Sequence, residues 1–156
     1  MKIKVIFPGK TDPLFNASVE EYLRRMKHYV PFEMLILPEI KTSPSMTPER
    51  MMEKEEEHML KHLSPGEEII LLDERGKTFS SREFAGFIQK KMNSSLKNLV
   101  FLVGGPYGFS PRIRELSAAS LSLSKMTFSH QVVRVVFMEQ LYRAMTILRN
   151  EPYHHE

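Results

Sequence analysis

Residues 98–108, with the sequence NLVFLVGGPYG, join an apolar run directly to a glycine-rich turn. The uncharged run Asn98–Val103 predicts a strand that is buried on both faces, as in a parallel sheet. Glycines that follow such a strand let a ligand approach bare backbone, and ligands of open parallel sheets bind at the carboxyl ends of strands. By itself the turn is weak evidence for a site, because glycine commonly serves only to punctuate a loop.

Strand-like and helix-like segments alternate on both sides of this stretch. The predicted strands are residues 3–7, 32–37, 68–72, 98–103 and 121–124; the predicted helices are 16–27, 47–63, 80–92, a short one from Ser110 and a last one over 133–148. Thr47 before Pro48, and Ser80 three residues before Glu83, are typical helix starts. The alternation predicts an α/β fold, a mainly parallel sheet with helices on both faces, in a single domain over residues 1–156.

The composition of the 156 residues is that of a folded protein, with 42% hydrophobic and 26% charged residues. The absence of cysteine excludes disulfides, thiolate metal sites and cysteine nucleophiles. A net charge of +3 permits nucleic-acid binding without requiring it. The apolar run Val5 to Phe7 is too short for a signal peptide or a membrane span, so we expect a cytoplasmic protein.

Several common site motifs do not occur in the sequence. The glycine turn does not match G-x-G-x-x-G, and there is neither a P-loop nor a G-x-S-x-G elbow. His58 and His62 have the i, i+4 spacing of zinc ligands, but Met59 stands where a catalytic glutamate would be and no third ligand is evident, so no metal site is predicted. The acidic run at residues 49–57 (ERMMEKEEE) predicts a solvated helix face.

Near the end of the sequence, Tyr153, His154 and His155 follow the last predicted helix, with Arg143 and Arg149 upstream. Such side chains can hold phosphate, stack on a base or move a proton. Taken alone, these residues favour a frayed terminus over a site, because chain ends are usually disordered.

Six segments together resemble one family of known enzymes. They are LVGGPYGFS at 102–110, SLSLSKMTFSHQVVRVVFMEQLYRA at 120–144, NEPYHHE at 150–156, KIKVIFPGK at 2–10, EEYLRR at 20–25 and LLDERGK at 71–77. This set resembles the RlmH (formerly YbeA) family of SPOUT-class methyltransferases along the whole chain. The departures that we note, Tyr107 and His155, do not affect the implied cofactor site.

The resemblance implies a C-terminal trefoil knot, a homodimer, and S-adenosyl-L-methionine as cofactor, with no metal. It also implies methylation at N3 of a pseudouridine in 23S ribosomal RNA within the assembled ribosome. Carried over motif by motif, it places the bent cofactor against Leu72, Gly104, Leu123, Ser124, Lys125, Met126, Thr127 and Phe128. Several of these residues stand at or just after the carboxyl ends of the predicted strands 68–72, 98–103 and 121–124.

The implied reaction is an in-line displacement at a sulfonium methyl group, which requires alignment of the reacting atoms. Loss of the N3 imide proton also requires a nearby base or hydrogen-bonding group. His154 and Tyr153 are the candidates for that role, and Arg143 is the candidate for holding phosphate or orienting the substrate.

Two other functions stay open at the level of sequence. A related knotted methyltransferase acting on transfer RNA would have a similar cofactor site and would differ in its substrates. A non-catalytic ribosome-binding module with the same fold would fail to bind S-adenosylmethionine.

Overall fold

The protein forms one five-stranded sheet in which every observed strand pairing is parallel, in the order β2-β1-β4-β3-β5. The computed structural model describes residues 1–155, so the predicted domain extends one residue beyond them. The strands are β1 (Lys2–Phe7), β2 (Phe32–Ile36), β3 (Glu68–Thr78), β4 (Asn98–Val103) and β5 (Ala119–Ser122); the helices are α1 (Pro13–Met26), α2 (Pro48–Leu60), α3 (Ser81–Met92), α4 (Pro111–Leu116) and α5 (Val132–Leu148). The α/β fold with a parallel sheet is confirmed, whereas the trefoil knot stays a prediction.

Alternate residues of the central strand β4 serve two separate hydrophobic cores. Leu99, Phe101 and Val103 face the larger core, to which α1, α3 and α5 contribute. Val100 and Leu102 face the smaller core, to which α2 and α4 contribute. Each large apolar side chain buried in this way stabilises the fold by about 1.5–3 kcal/mol. The helices therefore cover both faces of the sheet, as predicted.

The predicted helix starts at Thr47 and Ser80 are confirmed by hydrogen bonds. The Thr47 hydroxyl accepts from the Arg50 amide at 3.2 Å. Ser80 and Glu83 form a reciprocal capping box, with bonds of 3.2 and 2.7 Å. These bonds satisfy amides that the first turn of a helix leaves without partners.

Several predicted boundaries differ from the observed ones. Helix α1 begins at Pro13 rather than Asn16, because Asp12 accepts from the Leu14 amide at 2.8 Å and caps an earlier turn. Strand β3 does not end at Leu72 but continues to Thr78 through an irregularity that returns it to pairing with β5. Strand β5 begins and ends two residues earlier in the sequence than the predicted strand 121–124. Residues 123–128 therefore form a loop.

The extension of β3 depends on a glycine at position 76. A Cβ atom built on Gly76 would lie 2.6 Å from the Leu121 amide nitrogen and 2.6 Å from the Ser120 carbonyl carbon. Both are backbone atoms of β5, so they cannot move aside as a flexible side chain could. Close approach of two backbones thus explains this glycine and fixes the position of the loop that follows β5.

We expect Gly76→Ala to lower the free energy of unfolding by about 3 kcal/mol, because the added methyl group forces β3 and β5 apart. The matched control is Gly86→Ala, since Gly86 lies exposed within α3 and a Cβ atom there would have nothing within 4 Å. That change should raise stability by about 0.5–1 kcal/mol through helix propensity. Urea denaturation of both variants tests the pair, and an unchanged Gly76→Ala protein would contradict the close approach.

Candidate active site at the carboxyl edge of the sheet

A cleft of about 900 Å³ opens beyond the carboxyl ends of β4 and β5 and beside residues 72–75 in the middle of β3. Seven of the eight predicted cofactor residues line it: Leu72, Gly104, Leu123, Ser124, Met126, Thr127 and Phe128. The eighth, Lys125, is exposed and is not among the described residues that line the cleft. The structure therefore brings this set together, and the volume lies in the range of cofactor pockets.

The loop at residues 123–128 is held by hydrogen bonds, and two of its apolar side chains face solvent. The Met126 amide donates to Ser124 Oγ at 2.9 Å, and the Thr127 hydroxyl donates to Glu74 Oε2 at 3.0 Å across the cleft. Met126 is 78% exposed and Phe128 is 37% exposed. Exposed large apolar side chains beside a cleft are typical of a surface that covers a ligand.

An ion pair that the sequence did not suggest stiffens another wall of the cleft. Arg114 Nη2 lies 2.6 Å from Asp73 Oδ2, and the Arg75 amide donates to Asp73 Oδ1 at 2.9 Å. Burial alone would raise the pKa of Asp73, but the Arg75 amide and the Arg114 guanidinium outweigh it and hold that pKa below its usual range. Asp73 is therefore ionised at neutral pH.

The glycine turn after β4 is closed by a hydrogen bond from the Gly108 amide to the Gly105 carbonyl at 3.1 Å. Gly108 has φ of 78°, a conformation that side chains other than that of glycine rarely adopt. The turn borders both the cleft and a smaller cavity of about 180 Å³, which lies at the ends of β1 and β2. Gly105 and Pro106 line both spaces.

Glu55 of α2 lines the smaller cavity and is only 4% exposed. Its Oε2 atom is buried and has no hydrogen-bond partner among residues 1–155. Burial raises the pKa of Glu55 to about 7. The prediction that the acidic run forms a solvated face is therefore wrong at this position, because α2 turns one carboxyl group of the run inward.

Arg134 of α5 is fully buried and joins the start of α5 to the loop after β1. Its guanidinium group donates to the Pro8 carbonyl at 2.6 Å, to the Gly9 carbonyl at 2.9 Å and to the Thr11 hydroxyl at 3.0 Å. Gln131 adds a second connection, accepting from the Asp12 amide at 2.7 Å and donating to the Lys10 carbonyl at 3.0 Å. Sequence reasoning missed both, since Arg134 stood within an apparently ordinary helix and Gln131 in the loop before it.

The segment after α5 is ordered as far as the structure describes it, so the expectation of a frayed terminus is wrong. Asn150 adopts φ of 55° and ends the helix, and the Glu151 amide donates to the Thr146 carbonyl at 2.9 Å. The Tyr29 hydroxyl donates to Glu151 Oε2 at 2.5 Å, which fixes the segment against the body of the protein.

The three predicted catalytic residues form one cluster around Glu139. Its Oε1 atom accepts from Arg143 Nη2 at 2.6 Å and from the Tyr153 hydroxyl at 3.0 Å, and Arg143 Nη1 lies 3.3 Å from His154 Nδ1. Burial, followed by hydrogen bonds with Tyr22 and Glu139, raises the pKa of Tyr153. Tyr153 is thus a neutral phenol at physiological pH, suited to donating a hydrogen bond rather than to removing a proton.

This cluster does not meet the cleft within one chain. Among residues 1–155, the lining of the cleft does not include Arg143, Tyr153 or His154. Val133 at the start of α5 does line it, and ten residues of helix place Arg143 about 15 Å further along the axis. The structure assembles each predicted set separately and leaves a gap between them.

The described residues contain no group of three or more histidine, aspartate or glutamate side chains that could hold a metal ion. Within the same residues, no helix combines the length and the apolar character that a membrane span needs.

The raised pKa of Glu55 makes stability depend on pH in a definite direction. Its folded-state pKa of about 7 exceeds the ordinary value of 4.5, so the folded protein holds this proton more tightly than the unfolded chain does. This tighter binding of the proton raises the free energy of unfolding, and its contribution is complete below pH 4.5. As pH rises from 4.5 through about 7, the free energy of unfolding falls by up to about 3 kcal/mol. The other titratable groups that line the cavity are Lys10, Glu39, His58 and His130.

We expect Glu55→Gln to become more stable relative to the wild type, by up to about 3 kcal/mol, between pH 4.5 and pH 8. Urea denaturation at both values measures this change. Glu57→Gln, on an exposed position of the same helix, is the matched control and should show little change. A pH-independent difference for Glu55→Gln would mean that the carboxyl group is not desolvated.

Comparison with known proteins agrees with this architecture. The family model described as "Predicted SPOUT methyltransferase" matches residues 1–154. A protein of Parabacteroides distasonis is 52% identical over 157 residues and one of Flavobacterium johnsoniae is 51% identical over 157 residues; both are named ribosomal RNA large subunit methyltransferase H, and each match covers 100% of both chains.

A crystal structure of a probable methyltransferase from Bordetella pertussis has the same fold. Its TM-score is 0.57 at 14% identity, covering 92% of this chain and 93% of that one. With a family model that matches nearly every residue and relatives that match from end to end, the chain belongs to the SPOUT methyltransferase family.

Proposed function

We propose that this protein transfers the methyl group of S-adenosyl-L-methionine to N3 of a pseudouridine in 23S ribosomal RNA, acting on the assembled ribosome in the cytoplasm. The observation that carries the proposal is the 52% identity, over the whole of both chains, to a protein named as a methyltransferase of large-subunit ribosomal RNA. The cleft adds support, because its lining fits the cofactor expected of this family.

The fit concerns both the apolar and the polar parts of the cofactor. Leu72, Met126 and Phe128 offer apolar surfaces for an adenine ring, while the exposed backbone of Gly104 and the 123–128 loop offers donors and acceptors for its edge. Asp73, held ionised by Arg114, is an acceptor for hydroxyl groups at the rim. When bound, the cofactor supplies an electrophilic methyl group on a sulfonium centre.

The residues of the chain would then align the acceptor base and manage its imide proton. His154 is the proposed proton acceptor, Tyr153 the proposed hydrogen-bond donor to a carbonyl oxygen, and Arg143 the proposed contact to a phosphate. In the free protein the Glu139 carboxylate holds Arg143 and Tyr153 in place through the bonds described above. To donate to the base, the Tyr153 hydroxyl, which has one hydrogen, would leave Glu139. Alignment of this kind is the main requirement of an in-line methyl transfer.

Because these three residues lie away from the cleft of their own chain, we propose that the working form is a homodimer. In it, the cluster around Glu139 of one subunit completes the cleft of the other. This arrangement closes the gap of about 15 Å along α5 without any rearrangement of the fold.

The proposed activity is tested by transfer of a labelled methyl group to ribosomes from a strain that lacks the protein. We expect label in the large-subunit RNA, strongest with intact ribosomes and weaker with free large subunits. Label in transfer RNA alone would keep the enzyme class and reject the substrate. No label, together with no binding of S-adenosylmethionine, would favour a non-catalytic ribosome-binding module.

We expect His154→Ala to lower turnover by about 100-fold or more while cofactor affinity is unchanged, since a positioned general base contributes about that much. The matched control is His155→Ala, because His155 is exposed and adjacent. Turnover of both variants on ribosomes, with calorimetry of cofactor binding, makes the comparison. Equal turnover of His154→Ala and the wild type would reject this assignment.

Mixed dimers test whether the cluster around Glu139 serves the cleft of its own subunit or the cleft of the partner subunit. Met126→Arg adds a positive charge beside the proposed site of a cationic sulfonium, at a side chain that is 78% exposed. In a heterodimer, one subunit carries Met126→Arg in its cleft and the other carries His154→Ala in its cluster. One site stays intact only if each cluster acts on the cleft of the partner subunit. About half of wild-type activity per heterodimer is expected, and complete inactivity would show that each cluster serves its own chain.

A further inference from the structure

Burial of the Glu55 carboxyl group destabilises the fold, and the surrounding residues do not compensate for it. The carboxyl group is buried against the glycine turn, so closely that a Cβ atom on Gly105 would lie 2.6 Å from Glu55 Cδ. Its Oε2 atom receives no hydrogen bond from residues 1–155. A buried carboxyl oxygen without a donor is destabilising, and groups of this kind are found at functional sites.

The cavity beside Glu55 and the cleft adjoin each other. Gly105, Pro106 and His130 line both, so the two spaces share a border at the glycine turn and His130. The carboxyl ends of β1 and β2 border the cavity, and those of β4 and β5 border the cleft. If the cleft takes the methyl donor, the cavity is the neighbouring place for an acceptor.

Resting on the proposed function, we propose that this cavity receives the target base and that Glu55 accepts a hydrogen bond from N1–H of the pseudouridine. In pseudouridine the ribose is attached through carbon C5, so N1 carries a hydrogen atom. In uridine the ribose is attached at N1, and no donor exists there. Glu55 is thereby assigned as the residue that distinguishes the two bases.

The size of the cavity suits a single base. Its volume of about 180 Å³ is below the range of about 300–1,000 Å³ typical of pockets for drug-sized ligands. Enzymes that modify a base in nucleic acid commonly turn it out of the stack into a close-fitting pocket and recognise its edge by hydrogen bonds. Such a base, splayed from a loop of RNA, presents its edges in this way.

The polar groups around the cavity complement the remaining edges of a pyrimidine. Lys10, His58 and His130 line it and can donate to carbonyl oxygens. Glu39 lies on the same wall as Leu37 and Pro38, so two carboxyl groups disfavour a phosphate inside. Donors for carbonyls beside an acceptor for N–H form the pattern that a uracil ring requires.

The test compares pseudouridine and uridine at the target. Ribosomes from a strain that lacks this protein supply the first substrate, and ribosomes from a strain that also lacks the relevant pseudouridine synthase supply the second. The ratio of kcat/KM on the two substrates is measured for the wild type, Glu55→Gln, Glu55→Met and the control Glu57→Gln. Cofactor affinity is measured for each by calorimetry.

We expect the wild type and Glu57→Gln to prefer pseudouridine strongly. Glu55→Met, which removes the acceptor at similar volume, should lower that preference by about 10- to 100-fold, through a loss on pseudouridine and not a gain on uridine. Glu55→Gln, which keeps a neutral acceptor, should fall between the two. Unchanged cofactor affinity in both variants is part of the expected result.

Three results would overturn the inference. An unchanged ratio in Glu55→Met would show that Glu55 does not read the base, and equal wild-type rates on both substrates would show that no reader exists. Loss of cofactor affinity in the Glu55 variants would assign the carboxyl group to the donor instead. In each of these cases the wild-type enzyme still methylates ribosomes, whereas absence of any wild-type methylation is the failure of the proposed function itself.

Discussion

The guanidinium group of Arg134 is the contact on which the geometry of the site depends. Its donors satisfy carbonyl groups of Pro8 and Gly9 that follow β1, and they do so from a position with no solvent exposure. Burial lowers the pKa of this arginine, although an arginine keeps its charge in proteins. Removing it would leave buried carbonyls without partners, which costs about 1–3 kcal/mol for each.

The shapes of the cleft and of the smaller cavity depend on that contact. Pro8 and Gly9 form one wall of the smaller cavity, and His130, whose carbonyl accepts from Arg134 Nε at 3.2 Å, stands between the cavity and the cleft. The close packing of β3 against β5 at Gly76 positions the opposite side, from which the loop at 123–128 departs. The site is therefore fixed by two rigid contacts, one at each side of the glycine turn.

From the sequence we could predict the strands, the helix caps at Thr47 and Ser80, and the set of residues around the cleft. Each of these depends on a local pattern or on a motif. Glu55, Arg134 and the continuation of β3 were missed, because each depends on what another segment presents across the fold. A glutamate within ERMMEKEEE is indistinguishable from its neighbours until α2 is placed against the glycine turn. The placement of the described residues after α5 likewise depends on Tyr29, which lies more than a hundred positions away from Glu151.

The close packing of the Glu55 carboxyl group against Gly105 also limits which substitutions these positions accept. A side chain at position 105 would occupy the volume of the Glu55 carboxyl group. Position 105 therefore cannot change alone: a larger residue there is acceptable only after position 55 has become small. Two residues that are fifty positions apart in sequence, in a helix and in a turn, are thus sterically coupled at the border of the two spaces.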